Sequence, residues 1–177
     1  PDKNQPFFAV FNYTGCHESG IASKGKYDSV TEGLAKIDRS VAVESLPPYY
    51  PDTPIVREDW GRYYDVITAM DRWVGEHLQA LEDAGESDNT IVVYWSDHGV
   101  GLPRAKRWLY DSGMHVPLIV RIPEKYRVDE QGTPGTVSDQ LVSVIDLGPT
   151  TLNLAGAKVP EHVHGQAFLG PNTPTPR

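Results

Sequence analysis

The sequence predicts an α/β fold with a mainly parallel sheet that is covered by helices. Short apolar runs that are typical of strands alternate with helical segments along the chain, which is the α/β pattern. The apolar residues of these runs are continuous rather than alternating, as in parallel sheets whose two faces are both buried. The 177 residues are enough for one ordinary domain with a sizeable core.

The first predicted strand is Phe7–Tyr13, where aromatic and β-branched residues follow one another (FFAVFNY). The polar, glycine-containing residues 14–26 are predicted to be loop. Residues 24–53 have little periodicity and carry several prolines, so we expect a long surface excursion there. Loops of this length without regular structure are uncommon unless they are functional.

The clearest predicted helix begins at Pro54, with Thr53 as its cap, and ends at Gly85. Its apolar residues recur at helical spacing: Trp60, Tyr64, Ile67, Met70, Val74, Leu78 and Leu81. Acidic and basic residues lie between them, so the pattern predicts one apolar and one charged face.

The second half of the chain continues the alternation of strands and helices. Two strands are predicted at residues 90–95 and 116–122, each a short apolar run. A last helix is predicted at Leu147–Ala155, with Asp146 as its cap. The tail from Gly156 onward is rich in Pro, Gly and Thr and is predicted to be irregular.

Charge and composition exclude several classes of protein. The net charge of −8 argues against general nucleic-acid binding, which needs a basic face. No stretch has the length of a transmembrane helix, and the first residues lack the form of a signal peptide. Cys16 is the only cysteine, so no internal disulfide can form. Because Pro1 runs almost directly into a strand-like segment, we expect the chain to be a piece of a longer protein.

Asp97 and His98 follow the predicted strand at residues 90–95 and are the strongest candidates for chemistry. Ligands of open α/β sheets bind beyond the carboxyl ends of the strands. An Asp-His pair there can supply one oxygen and one nitrogen to a metal ion, and Gly99 lets the backbone turn away. The plain alternative is that Asp97 caps the following turn and His98 is an ordinary loop histidine.

A basic loop a few residues downstream favours the functional interpretation. Arg104, Lys106 and Arg107 are close together in an otherwise acidic chain. Cations near a metal stabilise charge that develops on the oxygens of an anion such as sulfate or phosphate. Lys106 and Arg104 are therefore candidates for substrate binding, whereas Arg107 is interpreted as surface.

Among the histidines outside the Asp97–Gly99 turn, His17 is the candidate for the site. It follows the first predicted strand and is either a general acid or a hydrogen-bond donor to a bound oxyanion. His77 is predicted to lie on the exposed face of the long helix. The others are not assigned to the site: His115, His162 and His164.

Several segments together resemble the type I sulfatases, with closest likeness to the heparan N-sulfatase (sulfamidase)-like members. The segments are FFAVFNYTGCHESG, the stretch from LPPYYPDTPIVREDWGRYYDV to TIVVYWSDHG, PRAKRWLYDSGMHVPLIVRIP and VSDQLVSVIDLGPTTLNLAGAKVPEHVHGQAF. They follow in collinear order along essentially the whole chain. The resemblance implies an alkaline phosphatase-like sandwich and hydrolysis of a sulfuric ester or sulfamate on a sulfated carbohydrate.

The same resemblance implies roles for individual residues. Asp97 is similar to a calcium-ligand carboxylate of the family, and His98 occupies the adjacent position, where members carry Asn or His. Lys106 and His17 resemble the lysine and histidine that contact the sulfate group and act in catalysis. Arg104 is expected to reach the substrate. The implied partners are a sulfated saccharide or other sulfate ester and Ca²⁺, with neither nucleic acid nor membrane.

One feature of the family is absent from residues 1–177. Sulfatases use a formylglycine made within a C-x-P/A-x-R motif, and Cys16, in CHESG, does not fit it. We therefore expect residues 1–177 to be the second part of a catalytic domain, without an internal boundary and inactive alone, with the nucleophile upstream. The family also implies a periplasmic, secreted or lysosomal location.

Two alternatives remain open at this point. The protein could be another hydrolase of the alkaline phosphatase superfamily, a phosphatase or phosphodiesterase in which Asp97 and His98 bind zinc or manganese. An imidazole ligand suits those metals better than it suits Ca²⁺. The chain could also be a non-catalytic module with the same fold, which would bind no metal.

Overall fold

The computed structural model of the protein describes residues 5–39, 46–129, 131 and 133–176. The helices in this part of the chain are α1 (Glu18–Ala22), α2 (Lys24–Val30), α3 (Pro54–Asp83), α4 (Asp111–Met114) and α5 (Leu147–Leu154). The strands are β1 (Val92–Trp95) and β2 (Leu118–Arg121), and short 3-10 turns lie at Ser87–Asn89, Glu124–Tyr126 and Val144–Asp146. No helix in the described ranges combines the length and the hydropathy that crossing a bilayer requires.

The chain folds into two compact units. The first is Pro1–Ala80 together with Val100–Pro103, and the second is Leu81–Gly99 together with Arg104–Arg177. The expectation of a single catalytic-domain segment without an internal boundary stays a prediction.

The core of the first unit forms where α3 packs against the short helices. Its buried residues are Ile21, Tyr27, Val66 and Leu102. Leu102 comes from residues 100–103, so this short segment is held in the first unit by apolar burial. The hydroxyl of Tyr50 also donates to the carbonyl oxygen of Pro103, which fixes the end of the same segment.

A buried carboxylate on α3 ties three segments of the first unit together. Asp65, only 2% exposed, accepts from the Tyr27 hydroxyl at 2.5 Å and from the Ile37 backbone N–H at 2.8 Å. The Arg39 guanidinium lies 2.9 Å from the same carboxylate and also donates to Glu58 at 2.9 Å. Burial raises the pKa of Tyr27, and the bond from Arg39 lowers the pKa of Glu58.

Replacing Asp65 with alanine is expected to lower the free energy of unfolding by about 3 kcal/mol. The groups that contact its buried carboxylate, among them the Tyr27 hydroxyl and the Arg39 guanidinium, would lose their charged acceptor. Glu76→Ala, at an exposed position of the same helix, is the matched control and should change stability by less than about 0.5 kcal/mol. Urea denaturation of both variants in the full-length protein checks this. Equal losses in the two variants would contradict the role assigned to Asp65.

In the second unit β1 and β2 form an antiparallel pair, with Val92 opposite Arg121 and Trp95 opposite Leu118. Both strands were predicted, at slightly greater length, and the α/β class is confirmed. The expectation of parallel strands is wrong for this pair. Apolar continuity indicates burial of both faces, but it does not encode the direction of the neighbouring strand.

The predicted strand Phe7–Tyr13 is wrong as a strand, since these residues belong to neither helix nor sheet. A strand needs a neighbour with which its backbone groups pair, and the described residues supply none for this segment. Instead, the centroid of the Phe11 ring lies 4.6 Å from the centroid of the His77 imidazole. The His77 centroid in turn lies 4.2 Å from that of the Trp73 ring. His77 is therefore half-buried in an aromatic cluster, contrary to the prediction of an exposed residue.

The loop predicted from residue 14 contains α1 and α2, so that prediction is corrected too. The Ser23 side chain caps α2 by accepting from the Lys26 backbone N–H. Helices of five and seven residues are too short for a helical period to be visible in the sequence. Part of the predicted surface excursion, residues 40–45, lies outside the described residues.

The predicted helices α3 and α5 are confirmed nearly to the residue. Thr53 caps α3, its hydroxyl accepting from the Val56 N–H at 3.4 Å. Asp146 precedes α5 as predicted, but its buried carboxylate does not cap that helix. It accepts instead from the backbone N–H groups of Ser143 at 2.9 Å and Gln166 at 2.8 Å. Asp146 thus ties the C-terminal tail to the turn before α5.

Candidate functional site

The turn that carries Asp97 and His98 begins where β1 ends. The backbone N–H of Ser96 donates to the Pro117 carbonyl oxygen at 3.2 Å, which continues the strand pairing by one residue. Beyond it the chain bends, leaving Asp97 with 76% and His98 with 37% of the side chain exposed. Both predicted metal ligands are therefore accessible and adjacent, with Asp97 Oδ2 at 3.2 Å from His98 Nε2.

The hydrogen bonding of His98 suits a cation at this point. Its Nδ1 lies 3.2 Å from the Gly99 carbonyl oxygen, and a carbonyl can only accept, so Nδ1 carries the proton. In the neutral ring, Nε2 then turns its lone pair toward Asp97 Oδ2, and two acceptors face each other. A cation held by both side chains would remove that repulsion. Metal-ligating histidines commonly donate their other N–H to a carbonyl in this way.

Asp97 and His98 would supply two metal ligands, which is fewer than a complete metal site needs. No group of three or more His, Cys, Asp or Glu side chains suited to a metal occurs among the residues that the structure describes. Their chemistry, one carboxylate oxygen and one imidazole nitrogen, fits a divalent cation whose remaining ligands come from elsewhere. A small pocket beside β1 is lined by Ser96 and His115, among others, and includes neither Asp97 nor His98.

Gly99 closes the turn with φ of 72°, which a glycine adopts without strain. Its N–H donates to the Ser96 hydroxyl at 2.8 Å, so the turn is held by a bond across its own base. A Cβ atom on Gly99 would lie 3.7 Å from the Ser112 carbonyl oxygen, which places the turn directly against α4.

Helix α4 also holds the basic loop. The Ser112 hydroxyl donates to the Arg104 carbonyl oxygen at 2.6 Å. Gly113 lies so close to the loop that a Cβ there would overlap the carbonyl oxygens of Ala105 and Trp108. Within the second unit, the Asp97–Gly99 turn and the Arg104–Lys106 loop therefore both pack against the same short helix, α4.

Introducing a methyl group at the crowded position tests this arrangement. Gly113→Ala should push the Arg104–Lys106 loop away from α4 and cost about 1–3 kcal/mol of stability through overpacking. Gly75→Ala, on α3, would place its new Cβ more than 4 Å from any atom beyond its own stretch of helix and should stabilise by up to about 1 kcal/mol. Urea denaturation of the full-length variants checks both signs, and a neutral Gly113→Ala would contradict the packing described.

The backbone of the basic loop is unusual around Lys106. Arg104 and Arg107 have φ of 65° and 75°, in the left-handed region that non-glycine residues rarely occupy. Such strained positions persist where the surroundings enforce them and concentrate at functional sites. Ala105 is 2% exposed and anchors the loop, and Lys106 beside it is half-buried. The buried Ala105 and the contacts with α4 thus hold the loop on which Lys106 lies.

His17 lies in the first unit, at the start of α1. Its Nδ1 accepts from the Ser19 backbone N–H at 3.3 Å and lies 3.0 Å from the Ser19 hydroxyl. Lys26 Nζ donates to that hydroxyl at 3.0 Å and to the Thr14 carbonyl oxygen at 2.8 Å. Because Nδ1 accepts, the neutral ring carries its proton on Nε2. That is the form that can donate to an oxyanion or a leaving group.

The predicted site residues therefore fall into two groups. Asp97, His98, Arg104 and Lys106 belong to the second unit, and His17 belongs to the first. That His17 joins the other four stays a prediction. Four residues that hold them were not predicted from the sequence: Ser19, Lys26, Ser96 and Ser112. Only the short spacing of Ser19 from His17 and of Ser96 from Gly99 could have pointed to them.

Comparison with known proteins identifies what the chain is similar to. The family model described as Sulfatase matches residues 1–157. An ulvan-active sulfatase of Formosa agariphila is 37% identical over 194 residues, covering 94% of this chain and 32% of the relative. Human N-sulphoglucosamine sulphohydrolase is 36% identical over 171 residues, covering 90% of this chain and 33% of the relative. The chain thus spans about a third of the length of these curated relatives.

A solved structure is also similar. The phosphonate monoester hydrolase of Silicibacter pomeroyi superposes with a TM-score of 0.58 and 26% sequence identity. The match covers 97% of this chain and 33% of that one.

Proposed function

Because the chain belongs to the sulfatase family, we propose that the full-length protein hydrolyses sulfate esters or sulfamates of sulfated saccharides. The resemblance to sulfatases predicted from the sequence is confirmed at the level of the family. The observation that carries the proposal is that α4 contacts both the turn with the exposed Asp97–His98 pair and the basic loop that carries Lys106. A metal ion on the pair and a cation on the loop would together accommodate a sulfate group.

Asp97 and His98 would hold the metal ion, which we propose to be Ca²⁺. When bound, the ion would withdraw charge from the sulfate oxygens. The carboxylate of Asp97 suits Ca²⁺, which prefers oxygen ligands, whereas the imidazole of His98 suits softer divalent ions better. Because His98 Nδ1 faces the Gly99 carbonyl oxygen, Nε2 is the ring nitrogen that would be available as a metal ligand.

Lys106 would donate hydrogen bonds to the sulfate oxygens, and Arg104 would bind a further part of the substrate. His17, with its proton on Nε2, would donate to the sulfate or protonate the leaving group. The covalent step would belong to a formylglycine, which no motif of residues 1–177 provides. A periplasmic, secreted or lysosomal location is part of the same proposal, which fractionation of the source cells would test.

The test is release of inorganic sulfate by the full-length protein with Ca²⁺ present. Ion chromatography would follow N-sulfated and O-sulfated saccharides in separate reactions, which also identifies the class of bond cleaved. A phosphate monoester and a phosphonate monoester run in parallel as the alternative substrates. We expect sulfate release that depends on the divalent ion.

The second candidate function is hydrolysis of phosphate or phosphonate monoesters, favoured by the likeness to the phosphonate monoester hydrolase. Turnover of these esters without any sulfate release would establish it and reject the sulfatase proposal. Absence of both activities in a folded, metal-loaded protein would leave a non-catalytic module.

A further inference from the structure

Two exposed aromatic rings, those of Trp108 and Tyr110, follow the basic residues of the loop. Neither is among the buried core residues of the described chain. The rings of Trp108 and Tyr110 are stacked with centroids 6.2 Å apart and an angle of 25° between their planes. Trp108 is 56% and Tyr110 43% exposed, and Leu109 between them is 89% exposed. The Arg104 guanidinium lies 4.3 Å from the centroid of the Tyr110 ring. The loop thus presents an aromatic pair with a cation over one ring.

Hydrogen bonds and close packing hold the backbone that carries these rings. The Trp108 N–H donates to the Ala105 carbonyl oxygen at 3.0 Å, and the Trp108 carbonyl lies tightly against Gly113. The Tyr110 carbonyl oxygen accepts from the N–H groups of Gly113 at 2.9 Å and Met114 at 3.1 Å. A ligand that stacks on the rings would therefore not have to order this backbone, which favours binding.

The chemistry of this surface fits a charged sugar ring. Ligand sites typically combine aromatic faces with a few placed polar or charged groups. The apolar C–H face of a pyranose can lie on an indole or phenol ring, while a guanidinium pairs with a sulfate or carboxylate substituent. The loop carries Arg104 and Lys106 in a chain of net charge −8, so an anionic ligand is electrostatically favoured there.

Position along the chain relates the surface to the proposed sulfate site. Trp108 is two residues from Lys106, so the backbones of the two residues are at most about 7 Å apart. That separation is compatible with a sugar ring on Trp108 lying next to the ring whose sulfate Lys106 would bind.

We propose that Trp108, Tyr110 and Arg104 form a second sugar subsite, which stacks on the ring next to the one that carries the scissile sulfate. Arg104 pairs with an anionic substituent of that neighbouring ring. This inference rests on the proposed function for the role of Lys106, and it adds a preference for oligosaccharides over small sulfate esters.

The kinetic test compares two substrates of the full-length protein. One is a sulfated oligosaccharide, and the other is 4-nitrophenyl sulfate, which has no neighbouring sugar ring. Trp108→Ala should lower kcat/KM for the oligosaccharide about tenfold, mainly through KM, and leave 4-nitrophenyl sulfate within about twofold. Trp108→Phe, which keeps an aromatic face, should recover most of the loss.

Tyr126→Ala is the matched control. Tyr126 is also exposed, at 41%, and also has a cation over its ring, Lys125 at 4.9 Å. Neither substrate should respond to that change. Equal losses for both substrates in Trp108→Ala would show that Trp108 only supports the loop, and no loss for either would show that it binds nothing. Both results overturn the subsite.

A second measurement needs no variant and no turnover. N-bromosuccinimide should oxidise Trp108 in the free full-length protein, as read by peptide mass mapping, and the sulfated oligosaccharide should protect it. Absence of oxidation in the free protein would mean that another part of the protein covers Trp108, and absence of protection would mean that no sugar stacks there. Either outcome overturns the proposal. If no sulfate ester is hydrolysed, the proposed function fails, but protection of Trp108 still tests the subsite.

Discussion

Asp97→Ala is expected to reduce kcat of the full-length protein about 1,000-fold and to leave it folded. A bound metal ion stabilises the transition state by several kcal/mol, and the change removes a carboxylate that would bind it. With 76% of its side chain exposed, Asp97 contributes little to the core, so its loss should not lower the melting temperature measurably. The same variant should bind less of the divalent ion.

Steady-state kinetics over a range of Ca²⁺ concentrations, together with elemental analysis of the purified variant, check this expectation. Asp111→Ala is the matched control, since Asp111 is a carboxylate of the same unit with 92% of its side chain exposed. It should retain wild-type turnover and metal content. A wild-type rate after Asp97→Ala would remove Asp97 from the metal site.

Lys106→Ala is expected to reduce kcat/KM for sulfated substrates about 100- to 1,000-fold. This is the usual cost of removing one donor that faces the charge developing in a transition state. Arg107→Ala removes the neighbouring cation, which the sequence and its exposure both assign to the surface. That control should change kcat/KM by less than about threefold, because water and salt screen the interaction between a solvent-exposed cation and the substrate.

Initial-rate kinetics of both variants on the same sulfated saccharide separate the two cations. Equal effects would mean that the loop acts only through its net charge. An unchanged kcat and KM in Lys106→Ala would contradict its assignment to the substrate.

The sequence predicted the long elements well because their signals are local and repeated. Helix α3 carries its apolar period over Pro54–Asp83, with a cap at Thr53, so its bounds were readable. Asp97 and His98 were likewise readable as a pair, since adjacency in sequence after a strand guaranteed adjacency in space.

What the sequence did not reveal depends on non-local pairing or on single hydrogen bonds. Phe7–Tyr13 has the composition of a strand, but a strand forms only when its backbone pairs with a neighbouring strand. Amino-acid composition does not show which segment that neighbour would be. The antiparallel direction of β1 and β2 is set by pairing, for the same reason. Three features of the site each depend on one hydrogen bond that no periodic pattern encodes. They are the orientation of His98, the cap formed by His17, and the bond from the Ser112 hydroxyl to the Arg104 carbonyl oxygen.

Peptide mass mapping of the purified full-length protein tests the central claim most directly, namely that these residues form the metal and substrate side of a sulfatase. We expect a peptide with the C-x-P/A-x-R motif in which the cysteine has been converted to formylglycine. A serine or threonine nucleophile in place of that motif would contradict the claim and favour the phosphatase-like alternative.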